Sequence, residues 1–165
     1  MKRVERWIDA GIRHVRETVR YKVEPVGPLH DPIMYRYYVI PRNRFLNFYL
    51  HYMRRSDVGD LHDHRMANIT ILLQGHYYEE RFVSRPIAGQ ELPATHKSVV
   101  EPRRPLFRWA STPHRIVLGD DAKEKVWSLF VGFPHVRNWG FWTTTNDIAH
   151  WIPHEVREPG KPTAA

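Results

Sequence analysis

The chain contains no cysteine. Disulfides, thiolate-bound metals and cysteine nucleophiles are thereby excluded, and any metal has to be held by His, Asp or Glu. A cysteine-free chain fits the cytoplasm, the expected location. Long apolar runs are missing too, and none approaches the roughly 20 residues of a membrane span. The opening stretch MKRVERWIDAGIRHVRETVRY lacks the apolar core of a secretory signal, and Glu5, Asp9 and Glu17 argue against a transit peptide. Phosphate loops of the GxxxxGK[ST] type, GxSxG nucleophile elbows and Gly-rich cofactor loops are absent as well, which removes the enzyme classes built on them.

What is present is one domain's length, 165 residues, with 42% hydrophobic and 13% aromatic residues, enough for a real core. The formal charge is +7, and arginine far outnumbers lysine. These arginines are spread along the chain rather than blocked together. That pattern suits a soluble protein with a positive surface and an anionic small-molecule partner better than a nucleic-acid or membrane partner.

Val4, Ile8, Ile12, Val15 and Val19 recur at three- and four-residue steps, which predicts an amphipathic helix over 3–20. Residues 23–32, with three prolines and a glycine, read as a linker or loop. From residue 34 the texture becomes β. Runs over 34–40, 45–53, 67–73, 76–83, 97–100, 106–110, 114–118 and 126–133 are rich in β-branched and aromatic residues, with turn signals between them. Short strands with no helix between them predict an all-β barrel or sandwich. The aromatic stretch from Trp127 to Trp151 suits core filling or a subunit interface, as in a homodimer.

Within this frame His62 and His64 lie two apart, so on a strand both imidazoles face one side. A third imidazole from a distant strand would complete a facial set for a divalent metal. His114, which follows Thr112-Pro113 and opens HRIVL, is the candidate. An H-x-H pair is not the H-x-D/E of 2-oxoglutarate oxygenases.

Here the sequence resembles the cupin superfamily, whose first motif runs G-x5-H-x-H-x3–4-E-x6-G. His62, His64 and Gly75 occupy matching positions, while Asn68 stands at the glutamate and Ser56 at the leading glycine. In the second motif, G-x5-P-x-G-x2-H-x3-N, His114 matches, whereas Trp109, Ser111 and Leu118 replace the proline, second glycine and asparagine. The segments LHDH, LLQGHYYEE, TPHRI, VWSLFVGF and WGFW look like small stand-alone bacterial and phage cupins, a group with no activity to carry over.

The resemblance, carried by roughly residues 45–133, implies a double-stranded β-helix (jelly-roll barrel), placed over 23–158; the periodicity adds an N-terminal helix over 1–22 packed on it, and the composition of EPGKPTAA a disordered tail over 159–165. The resemblance also implies one divalent ion on His62, His64 and His114, Fe(II) first, with Zn, Mn or Ni as alternatives. Without the usual glutamate, three neutral imidazoles leave open coordination positions, as in a catalytic rather than a structural site. Such a ferrous site resembles that of thiol dioxygenases. The expected function is therefore a dioxygenase-like metalloenzyme acting on a small molecule. A metal-dependent sugar isomerase or epimerase, and a non-catalytic binding or sensor protein, stand as alternatives.

If Gln74-Gly75 is a two-residue hairpin turn, Leu73 pairs with His76 and Thr70 with Glu79. Glu79 then shares a face with Asn68, His64 and His62, as a ligand, an anchor behind the ligands or a general base. Asp63 and Glu80 have the opposite parity. His51 and Tyr49, alternating with Asn47 along an apolar run, fit a face lining a cavity, and with Asn68 they are the expected substrate contacts.

Overall fold

The structure is a computed structural model that describes residues 2–18, 22–57, 59–119 and 125–156. Val19 and the tail expected over 159–165 lie outside the described residues. Helix α1 spans Lys2–Thr18, with Glu5 in its first turn and Arg16 in its last, charges that complement the helix dipole. Its stripe lands as the periodicity requires. Ile12 is buried against Leu50 and Trp127, and Ile8 and Val15 pack around them, whereas Val4 stays exposed.

Among the described residues twelve strands follow: β1 Val23–Val26, β2 Met34–Tyr38, β3 Asn47–Met53, β4 Leu61–His62, β5 Asn68–Gln74 and β6 Tyr77–Phe82, then β7 Thr95–Val100, β8 Pro105–Arg108, β9 His114–Val117, β10 Val126–Gly132, β11 Gly140–Thr145 and β12 Ile148–Pro153. They form two antiparallel six-stranded sheets, ordered β1-β2-β3-β10-β5-β8 and β12-β11-β4-β9-β6-β7. Among the described residues no ladder joins the two, so the expected closed barrel is an open two-sheet jelly roll. The sheets meet through side chains, and the edges stay unpaired with each other.

Two expectations about local structure are corrected. Residues 23–26 form an edge strand and not a loop; an edge tolerates Pro25, whose missing N–H would break an interior ladder. The β5–β6 hairpin does not form, because β10 and β8 already occupy both sides of β5. The chain instead crosses at Gly75 into the other sheet, where β6 pairs with β9 and β7.

Gly75 makes that crossing with φ +76°, and a Cβ there would lie 2.9 Å from the Lys125 carbonyl oxygen. Gly75→Ala is expected to cost about 1–3 kcal/mol in chemical denaturation, the strain of a left-handed residue plus the backbone clash.

Met34, Met53, Leu72, Tyr77, Val100 and Val126 form an apolar plug drawn from both sheets. Met34 and Met53 also reach the wall of a cavity of about 390 Å³ that mixes apolar side chains with polar and charged ones.

Candidate metal centre

Strand β4 is only two residues long, yet it is fixed on both sides. His62 is paired with His114 of β9 and with Phe141 of β11. Beyond it the Asp63 N–H donates to the Gly140 carbonyl (3.0 Å) and the His64 N–H to the Ala110 carbonyl (3.0 Å). The two-residue period turns Asp63 away from the cavity. Its carboxylate accepts from the Gly140 N–H (2.8 Å), Trp151 Nε1 (2.9 Å) and Arg137 Nη1 (2.5 Å), which clamps the β11–β12 hairpin behind the histidines.

One ligand atom from each of His62, His64 and His114 falls within 4.8 Å of the others. The Nε2 atoms of His64 and His114 are 3.2 Å apart. Two donors about 2.1 Å from one ion at 90–110° would stand roughly 3.0–3.4 Å apart, so this spacing suits a shared metal. His114 Nδ1 faces the Thr112 carbonyl at 3.2 Å. A carbonyl only accepts, so Nδ1 carries the proton and Nε2 keeps its lone pair for the site.

Burial, then the neighbouring His114 and His62, and then Arg108 and Arg36 hold His64 well below the ordinary imidazole range. His114 is depressed in the same way by burial, Arg108 and His62. Both rings are therefore neutral near pH 7, the form a metal requires.

Arg108 is a functional residue that the sequence reading passed over. It is the cross-strand partner of Asn68, the position of the missing glutamate. Its guanidinium is almost wholly buried and fully engaged. Nε donates to Glu79 Oε1 (2.9 Å), Nη1 to Thr70 Oγ1 (2.8 Å) and Asn68 Oδ1 (3.3 Å), and Nη2 to Tyr77 Oη (3.3 Å) and Glu79 Oε2. Arg81 Nε adds a third donor to Glu79 (2.5 Å). Burial raises the Glu79 carboxyl, but Arg108 and Arg81 outweigh it and leave it lowered and ionised. A lone charged residue in the apolar run LFRWA was the signal that could have found Arg108.

The cavity wall thus includes Tyr49 and His51 along with the three histidines, Thr70 and Arg108. Asn68 and Glu79 lie behind that wall, reached through Arg108. Trp127 lies under α1, and Trp109 is exposed outside the cavity.

Asp57, just past the end of β3, also lines the cavity. Its Oδ2 accepts the Ile116 N–H at 2.8 Å. Burial pushes its carboxyl up to about 7, against the opposing pull of the Ile116 N–H, Arg115 and Arg108. Between pH 4 and 7 the folded state then holds a proton that the unfolded chain has lost, so stability falls as pH rises through this window. One group contributes a slope of at most about 1.4 kcal/mol per pH unit. Asp57→Asn is expected to flatten that slope in denaturation of metal-free protein, while wild type keeps it.

The sequence matches no family model and no curated protein. Among solved structures the chain is similar to the polyketide cyclase RemF from Streptomyces resistomycificus, with TM-score 0.53 and 14% identity over 80% of this chain and 85% of that one. It is also similar to Fe(II) HppE in complex with substrate, with TM-score 0.52 and 10% identity over 69% of this chain and 57% of that one. The chain therefore spans little more than half the length of HppE. At these identities the likeness is one of fold.

Proposed function

We propose that this chain, a cupin by fold, is a mononuclear metalloenzyme acting on a small, negatively charged molecule. His62, His64 and His114 would hold its ion, with Fe(II) first and Zn, Mn or Ni as alternatives. The observation that carries this reading is three convergent imidazoles on the wall of a cavity of substrate size, with no carboxylate in the ligand cluster. A ferrous ion there would supply one-electron chemistry with dioxygen, and a zinc ion would supply Lewis acidity.

The residues of the chain do the rest. His114 is oriented by the Thr112 carbonyl. Glu79 serves as a positioning residue that holds Arg108 against Asn68 and Thr70, and the buried cation adds to burial in holding His114 and His64 unprotonated. Tyr49 and His51 form the wall a substrate would touch.

A metal-dependent isomerase or epimerase is the second reading, and Asp57 favours it. A cavity-facing carboxyl that titrates near neutral pH can both give and accept a proton. Protein purified without a His-tag or added metal is expected to carry about one equivalent of metal by mass spectrometry, the stoichiometry of one such site. Oxygen uptake on adding substrate supports the oxygenase. Anaerobic turnover with solvent deuterium entering product supports the isomerase. A protein that refuses iron, manganese, nickel and zinc at micromolar concentration is not a metalloenzyme.

A further inference from the structure

The cavity wall carries four guanidinium groups, from Arg36, Arg42, Arg65 and Arg108, and Asp57 as its one carboxylate among the described residues. Their exposure is graded. Arg42 is exposed, and the side chains of Arg65, Arg36 and Arg108 are 37%, 28% and 2% exposed. Positive charge therefore runs from the mouth to the floor beside the histidines.

Among the described residues, Arg108 at the floor has a buried counter-charge, Glu79, behind the wall. Arg65 meets Glu155 at the surface (3.0 Å), and Arg36 Nη1 lies 3.9 Å from Glu24, which is outside the wall. No carboxylate of a described residue pairs with Arg42.

Arg36 is also held in place. Its Nε donates to His51 Nε2 at 3.2 Å, and its guanidinium lies 5.2 Å from the centre of the Tyr49 ring. The bond needs His51 as an acceptor, and burial followed by Arg36 keeps that ring neutral. A guanidinium fixed in this way loses little freedom on meeting a bidentate oxyanion. Between Arg36 and the histidines the wall carries the Phe130 ring. Phe130 lies 5.9 Å from Tyr49, 5.3 Å from His51 and 6.1 Å from His64, ring centre to ring centre.

We infer that the cavity binds an organic oxyanion, a carboxylate or phosphoryl group seated on Arg36, Arg42 and Arg65 with an apolar body lying along Tyr49 and Phe130 toward the three histidines. The inference deepens the metalloenzyme reading by naming what its substrate must carry and where.

The test uses full-length, metal-free protein, so that anion binding is read independently of the metal. Benzoate, its neutral amide benzamide, and inorganic phosphate are titrated by calorimetry and by NMR, with metal content measured on parallel samples. Benzoate is expected to bind at least about tenfold tighter than benzamide, and Arg42→Gln to weaken it about tenfold, the loss of one charge-assisted contact. Arg36→Gln added to Arg42→Gln weakens it further. Arg42 is exposed, so its replacement reads the contact even if Arg36→Gln disturbs the fold.

Phosphate binding that competes with benzoate assigns a phosphoryl ligand, and benzoate binding alone assigns a carboxylate. Equal affinity for benzoate and benzamide, or indifference to Arg42→Gln, overturns the inference. Protein that takes up metal but neither anion loses only this inference. Protein that binds benzoate but no metal keeps it and loses the metalloenzyme reading.

Discussion

His62→Ala and His114→Ala each lower metal affinity by at least about 100-fold and abolish stoichiometric loading while the sandwich stays folded. The bound follows from a comparison: residues that merely orient a ligand typically cost 10–100-fold when replaced, so removing the ligand itself costs more. Folding survives because neither imidazole belongs to the apolar plug, which is built from Met34, Leu72, Tyr77 and their neighbours. The backbone bonds that fix His64 and Asp63 are likewise untouched by either change. Metal analysis and circular dichroism on the same preparations check both halves, and His150→Ala, an exposed histidine outside the cavity wall, is the control that keeps its metal. Loss of metal in that control as well would sink the assignment of the three ligands.

The second large effect is on stability. Glu79→Gln leaves the Arg108 cation in the interior without its counter-charge, at a site where the two side chains are 2% and 1% exposed. Breaking one side of such a pair costs about 3–5 kcal/mol, since Coulomb attraction no longer offsets desolvation of the remaining ion. For a domain of this size that is a fall in Tm of about 10 °C, measurable by calorimetry. The combined Glu79→Leu and Arg108→Met change should recover much of the loss, because a well-packed apolar pair of similar volume removes both desolvation penalties. A single variant as stable as wild type would mean that water reaches Arg108, and that its role as a buried fixed charge is wrong.

How legible was all this in the chain? Strand β10 could be read from VWSLFVGF and the helix from its apolar steps, because both rest on local periodicity. The β11–β12 hairpin was passed over as an aromatic tail, although Asn146 and Asp147, with φ of 49° and 63°, make the left-handed two-residue turn that such a pair favours. The Glu79 argument took its parity correctly, since Glu79 is buried facing the interior, but assigned it to the wrong sheet. A turn between two strands does not say whether they pair with each other or separate across a sandwich. That is decided by which neighbours already occupy the edges.

The sequence by itself determined a β-rich chain with one amphipathic helix, no thiol chemistry, and two histidines obliged by the period of a strand to face the same way. These follow from residue type and short-range spacing, which the backbone imposes wherever the strand ends up. Only the tertiary structure decided that His114 meets them, that Asn68 faces a buried arginine, and that Asp57 and four guanidiniums surround one cavity. Each of these contacts joins residues far apart in the chain. Their geometry depends on which strands pair and which sheet each joins, and burial then fixes which charges stay on.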